Sequence, residues 1–238
     1  MSRGLSEIKM KVHLNDRLLL IAGMIPRGHA VADIGTDHAY LPIYLIKEGI
    51  STRVIATEIT QGPFKRALEN VKKAGLEDFI ELRHGPGLKP LAPGEVQTAV
   101  IAGMGGETIA GIIRDSRPVA GSMKLMLLQP MRNQPELRRQ LFSMGFKIID
   151  EDIAVEDSRF YEIMAVRQQS PGPFDDIDIA VGPVLRKKKT PIVYEYIQHK
   201  IEILESLINP LKTINTASGQ KALEQYKREL EMWKEVLQ

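Results

Sequence analysis

The residues best equipped for chemistry in this chain stand just after its short apolar runs. The first run, 31–34, leads into Gly35-Thr36-Asp37-His38-Ala39. A buried strand that opens into a turn and then a helix puts that turn at the ligand edge of an α/β sheet. Only Gly35 stands where a dinucleotide fingerprint needs three glycines as G-x-G-x-x-G, so nicotinamide and flavin dinucleotides are disfavoured. What remains is Asp33-x-Gly35, where a glycine lets the backbone approach a ligand closely. Glu58 closes the second run, 25 residues beyond Asp33. A carboxylate there accepts both hydroxyls of a ribose; the plainer alternative is a surface acid favoured by the dipole of the helix that follows.

Two glycine loops come next. Gly85-Pro86-Gly87-Leu88 follows the third run, and Ala102-Gly103-Met104-Gly105-Gly106 follows the fourth, just before a helix. Exposed amides with no Cβ beside them leave room for a flat ligand, although a Gly-rich turn by itself carries no chemistry. Met104 reads either as core packing or as a residue stacking on a ring. Asp37 reads as a ligand for a cation, as a group that steadies an incoming base, or as an N-cap. His38 reads as a residue that orients the site rather than one that transfers a proton. Gln129, at the end of the fifth run, is placed to hydrogen-bond a base edge, and Tyr40 to stack or pack.

The elements that must position these residues follow from periodicity and punctuation. Strands are expected at 31–34, 53–58, 79–83, 98–102 and 123–128. Helices are expected at 18–24 (capped by Asp16), 39–47, 62–74, 107–114 and 134–144. Strands alternating with helices imply crossovers and a parallel sheet covered on both faces. Two further strands, 146–156 and 160–167, are joined only by Asp157-Ser158-Arg159, too short for a crossover, so they form an antiparallel hairpin. Beyond Ser170-Pro171-Gly172-Pro173 the pattern changes. Tyr194, Ile197, Ile201, Leu204 and Ile208 are spaced 3 and 4 apart, as are Leu223, Tyr226, Leu230, Trp233 and Leu237. Asn209-Pro210 and Ser218-Gly219 interrupt the pattern between two helices folded into a hairpin. The expected organisation is an α/β Rossmann-like domain at 1–169, and a linker with a helical coiled-coil hairpin at 170–238.

Composition sets the outer limits. With 43% hydrophobic and 26% charged residues the chain can bury a core. It has no cysteine, which excludes disulfides, thiolate metal sites and a cysteine nucleophile. No metal site is expected, no apolar stretch reaches the ~18 residues of a membrane span, and a cytoplasmic home is the default. Residues 18–25 with Ala30-Val31-Ala32 imitate a secretion signal, but cleavage there would split the first core strand. Net charge is only +2; residues 183–238 carry ten basic and seven acidic residues, with the excess at Arg186-Lys187-Lys188-Lys189. That run is a candidate phosphate-facing patch, weighed against an ordinary solvated surface.

Asp33-Ile34-Gly35-Thr36-Asp37-His38-Ala39-Tyr40-Leu41-Pro42, Ala102-Gly103-Met104-Gly105-Gly106 and Leu128-Gln129-Pro130 resemble the bacterial tRNA (adenine(22)-N1)-methyltransferases. The resemblance runs from about Leu14 to Arg167. It implies a class I methyltransferase fold, S-adenosylmethionine as methyl donor, tRNA as substrate, and a coiled-coil tail that helps hold it. Asp33, Gly35, Asp37 and His38 match the family's first motif and Glu58 its ribose-binding acid; Thr36, Gly85, Gly87, Leu88, Ala102, Gly103, Met104 and Gly105 complete the expected cofactor site. Asp37, His38 and Gln129 are the expected catalytic positions. The family commonly has Gly-Asp-Gly-Leu after the third strand, where the aspartate approaches the adenine amino group; Pro86 replaces it here, so adenine contact is expected from backbone near 85–88 and cofactor affinity to be weaker.

Ring N1 of adenine carries a lone pair and no proton, so methylation there needs no strong general base. Catalysis then rests on alignment and charge stabilisation, and the base must leave its helix at a cost of a few kcal/mol. Methylation of another RNA or of a small molecule stays open, as does a non-catalytic cofactor-binding or RNA-binding module. The 3-4 spacing also serves homotypic packing, so a homo-oligomer is an alternative use of the hairpin.

Overall fold

The computed structural model describes residues 12–214 and 216–237; the first eleven residues of the expected N-terminal domain lie outside it. Seven strands form one sheet in the order β3-β2-β1-β4-β5-β7-β6. β1 (Val31–Ile34), β2 (Val54–Glu58), β3 (Ile80–His84), β4 (Thr98–Met104) and β5 (Leu125–Pro130) run parallel. β7 (Arg159–Gln168) is inserted antiparallel between β5 and β6 (Phe146–Glu156). The strand order reverses between β1 and β4, and that is where a doubly wound sheet opens a ligand crevice.

β1 and β5 are buried along their whole length, as parallel strands covered on both faces must be. Alternation sorts β1 between two layers: Ala32 and Ile34 face one apolar cluster, Val31 the other. α1 (Asp16–Met24), α2 (Tyr40–Lys47) and α3 (Gln61–Ala74) contribute to the second layer, and α4 (Gly106–Asp115), α5 (Arg117–Ser122) and α6 (Gln134–Ser143) to the first. The cap of α1 is Asn15, whose side chain accepts from the Leu18 amide, rather than the expected Asp16, which lies inside the first turn. The β6–β7 connection is tighter than three residues. Asp157 and Ser158 both adopt positive φ (49° and 60°) and Glu156 pairs with Arg159, the geometry of a two-residue mirror-image turn that matches strand twist.

After β7 the chain forms α7 (Asp176–Ala180), a 3-10 turn at Leu185–Lys187, then α8 (Pro191–Leu211) and α9 (Ala217–Leu237). Each long helix spans ~31 Å at 1.5 Å per residue. Neither expected interruption falls between the helices: Pro210 sits in the last turn of α8. Ser218-Gly219 sits in the first turn of α9, where backbone amides need no intrahelical partner. The buried stripe of α8 is Val193, Tyr196, Ile197, Leu204 and Ile208, while Tyr194 is half exposed instead of buried. The stripe is rotated because α8 packs on β6 as well as on α9, and Ile153 of β6 joins the hairpin's apolar cluster.

Candidate active site

The crevice at the reversal point is a cleft of about 300 Å³ lined by Arg17, Asp33, the 35–38 turn, Tyr40 and Gly103 among others. Its geometry starts from one backbone constraint. Gly35 (φ 74°), Asp37 (φ 47°) and Ala39 (φ 57°) are all left-handed within five residues, and the two non-glycines each store roughly 1 kcal/mol or more of strain. The amides of Gly35 and Thr36 both donate to the Thr57 carbonyl, which anchors the turn to β2. A Cβ on Gly35 would collide with the Met104 Cε, so the first turn and the 102–105 loop touch here.

Asp33 is buried, and its Oδ2 accepts from the Thr36 hydroxyl at 2.6 Å. Burial pushes its carboxyl up to about 6, the Thr36 bond opposes this and the Glu58 charge adds to it. Glu58, also buried, accepts from the Thr60 amide at 2.7 Å through Oε1, and Oε2 lies 3.4 Å from the Asp37 amide. The Gly85 amide donates to the Glu58 carbonyl, so the acid stands between the first turn and the 85–88 loop. In that loop Gly87 has φ 57° and its carbonyl accepts from the Thr57 hydroxyl; Leu88 is fully buried in the core, leaving only its backbone to face a ligand.

The 102–105 loop begins at a bulge between Ala102 and Met104, with Gly103 at φ 77°. Gln129 holds it. Its Oε1 accepts from the Gly103 amide at 3.0 Å and from the Arg17 guanidinium, and its Nε2 donates to the Pro130 carbonyl. With both ends of the amide engaged and the residue fully buried, Gln129 positions the loop instead of offering a free edge to a base. Gly105 caps α4, and a Cβ on Gly106 would meet the Asn133 carbonyl at 2.5 Å, which fixes glycine at this helix start.

Asp37 and His38 stand at the mouth. Asp37 pairs with Arg66 at 3.1 Å, and His38 Nε2 lies 3.4 Å from its carboxylate. The His38 ring stacks on Tyr40 with centroids 5.2 Å apart and planes 12° from parallel. Arg17 is a residue that sequence reasoning missed. Its guanidinium donates to Gln129, sits over the Tyr161 ring at 5.6 Å, and its buried Nε has no hydrogen-bond partner, 3.6 Å from Glu156. Nothing in the sequence distinguishes it from a surface arginine on an amphipathic helix.

The basic run at 186–189 lies far from these loops in the chain, under the hairpin, and its members differ. Arg186 is ion-paired to Asp175 and Asp178, and Lys188 to Asp150 and Asp152. Lys189 reaches the Val236 carbonyl at 3.3 Å and stays exposed; Lys187 is exposed and has no partner among the described residues. Among those residues there is no group of three or more His, Asp or Glu able to hold a metal, and no helix long and apolar enough to cross a membrane.

The residues present suit a ligand carrying both a ribose and a positive charge. Asp33 is a buried acid that no Lys or Arg contacts among the described residues, and Glu58 keeps lone pairs beyond its two amide contacts. S-adenosylmethionine has those features, and a seven-stranded sheet with acids near the carboxyl ends of β1 and β2 defines a Rossmann-like methyltransferase that uses it. The family model described as a methyltransferase domain matches residues 14–164. The chain is 32% identical over 233 residues to the tRNA (adenine(22)-N(1))-methyltransferase of Bacillus subtilis, covering 95% of this chain and 98% of that one. It superposes on the crystal structure of the B. subtilis M1A22 tRNA methyltransferase TrmK with a TM-score of 0.86 and 32% identity, over 96% of this chain and all of that one. It also superposes on a Streptococcus pneumoniae chain in complex with S-adenosyl-L-methionine, with a TM-score of 0.84 and 31% identity over 95% and 100% of the two. The chain belongs to the tRNA (adenine(22)-N1)-methyltransferase family.

Proposed function

We infer that this protein transfers a methyl group from S-adenosylmethionine to N1 of an adenine in tRNA, at position 22 as its relatives' activity implies. The observation that carries the reading is the coincidence of full-length likeness to that family with a cleft whose buried acids match the donor. The donor supplies an electrophilic methyl on a sulfonium. Adenine N1 brings its own lone pair, so no side chain has to remove a proton first. Glu58 accepts the ribose hydroxyls, Gly35 and Thr36 let the backbone approach the methionine part, and Asp33 and Asp37 supply negative charge. The backbone of 85–88 takes the adenine ring in place of the side chain that Pro86 lacks, and Ala102–Gly105 form the wall held by Gln129. His38 orients the Asp37 carboxylate. Together these acids offset the positive charge that moves onto the substrate base, in a cleft that limits water.

The hairpin is the RNA-holding element, with Lys187 and Lys189 as exposed cations at its base, in a protein of the cytoplasm. A homo-oligomer built through α8 and α9 is the competing use, and sedimentation of the free protein tells the two apart. Nucleoside mass spectrometry after incubating unmodified tRNA with the protein and labelled donor tests the main reading. Labelled 1-methyladenosine at position 22 is expected; its absence, with the donor bound, sinks it.

A further inference from the structure

The methyl donor and the sheet account for the floor of the cleft, but not for its rim. Tyr40 is 42% exposed although it begins a helix whose next residues are buried. Its ring is held parallel to the His38 ring. That pair is braced from below: Asn70 donates to the His38 carbonyl, and Asp37 ties to both His38 and Arg66. The left-handed Asp37 and Ala39 on either side of His38 impose this display at a cost in strain. A rigid aromatic surface at the mouth of a polar cleft, built at such cost and left uncovered, is a stacking platform in want of a ring. Arg132 follows β5 beside the loop at 102–105, whose first two residues line the cleft, and its Nε lies 3.4 Å from where a Cβ on Gly105 would stand. It is exposed and has no side-chain partner among the described residues.

We propose that the His38–Tyr40 stack and the Arg132 guanidinium form a capture site for one unpaired adenine nucleotide of RNA, the ring lying on Tyr40 and the phosphate against Arg132. The proposal rests on the methyltransferase reading and deepens it by saying what receives the base once it leaves its helix. Extruding a base forfeits its stacking, and an aromatic face at the cleft mouth returns it. A guanidinium next to the 102–105 loop fixes the nucleotide's backbone without reading sequence.

The test uses the full-length protein and tRNA carrying 2-aminopurine at the target position. Stacking on Tyr40 quenches the extruded fluorophore in the wild type, and Tyr40→Leu brightens it. With ordinary tRNA, Tyr40→Leu lowers kcat/KM by roughly 5- to 150-fold, the rate equivalent of one base–aromatic stack. Tyr40→Phe restores both signals, because the ring and not the hydroxyl does the stacking. Arg132→Gln flattens the salt dependence of tRNA binding by about 0.7–0.9 in slope. S-adenosylmethionine affinity stays at the wild-type value in all three variants. Unchanged kcat/KM and unchanged fluorescence in Tyr40→Leu overturn the platform, as does a loss of donor affinity that accounts for the whole rate effect. Failure of the wild type to methylate tRNA at all overturns the functional reading instead.

Discussion

Among the described residues two groups of buried carboxylates lie on the sheet, one on the central strands β1 and β2 and one on β6 and β7 at its edge. Under the hairpin, Glu151 and Glu162 close around Arg138, whose Nε donates to Glu151 at 3.0 Å while Nη2 donates to Glu162. The amides of Val184 and Leu185 donate to the other Glu151 oxygen, and the Tyr196 hydroxyl donates to Glu162. Even the space is used up: a Cβ on Gly182 would stand 2.5 Å from the Glu151 oxygens. At the cleft, Asp33 has one hydroxyl donor and Glu58 two amides, with no cation on either among the described residues. Burial alone therefore does not separate a functional acid from a structural one. The difference lies in whether the protein itself completes the acid's partners, and at the cleft it does not.

The largest effect that could break this comparison is at the junction. Arg138→Met strands two fully buried carboxylates and is expected to cost ~3–5 kcal/mol of folding stability, the usual penalty for removing one partner of a buried ion pair. Urea unfolding measures it. A loss under about 1 kcal/mol would mean that the network is not what fastens α6, α7 and α8 to the sheet.

Glu58→Ala is the counterpart at the cleft. Calorimetry should show S-adenosylmethionine affinity lower by ~1.5–3 kcal/mol, as for the removal of charge-assisted bonds to a ribose, with folding stability lowered by only about 0.5–1.5 kcal/mol through the amide bonds to Glu58. A mutant that keeps donor affinity but unfolds more easily would move Glu58 into the structural group.

Asp33 sharpens the contrast through pH. Its folded-state pKa of about 6 stands above the ordinary value of 3.8, so between those limits the folded protein holds a proton that the unfolded chain has released. This group's contribution is therefore fully present below about pH 4 and is lost as pH rises toward 6. The cost at neutral pH is of order 1–3 kcal/mol at 1.36 kcal/mol per unit. Asp33→Asn is expected to stabilise the ligand-free protein at pH 7, flatten that slope and weaken donor binding. Equal destabilisation at every pH between 4 and 7 would show instead that the carboxylate is satisfied as it stands.

The cleft's acids and glycines were legible in the sequence because they sit at fixed offsets from apolar strands, and glycine marks the backbone positions that need positive φ. Most strand and helix boundaries came within a few residues for the same reason. Three kinds of feature were not legible. α5 has six residues with proline near its start, too short for a 3.6-residue period to show. Arg17 acquires its role from Gln129, 112 residues away, and Arg138 from Glu162 and Tyr196, so only the fold assembles them. Tyr194 matched the heptad spacing, yet the apolar face of α8 is set by β6 as much as by α9, which turned that ring outward.

The smallest expected effect concerns the basic run, where the same distinction between completed and incomplete charge applies at the surface. Arg186 and Lys188 already have carboxylate partners, so a phosphate would have to displace Asp175, Asp178, Asp150 or Asp152 to reach them. Lys187 and Lys189 have no acid to give up. If completed charges are structural and incomplete ones functional, the RNA contacts of this run come from the second pair alone. Lys187→Gln combined with Lys189→Gln should then lower the slope of log affinity for tRNA against log salt by about 0.7–0.9 for each phosphate no longer neutralised, and leave the melting temperature and donor affinity unchanged. Arg186→Gln should do the reverse, costing a few tenths to about 1 kcal/mol of stability through its partly exposed pairs while leaving the slope alone. A salt slope that falls as much for Arg186→Gln as for the lysine pair would mean that its aspartates exchange readily for phosphates, and that an ion pair seen in the free protein does not mark a charge as spent.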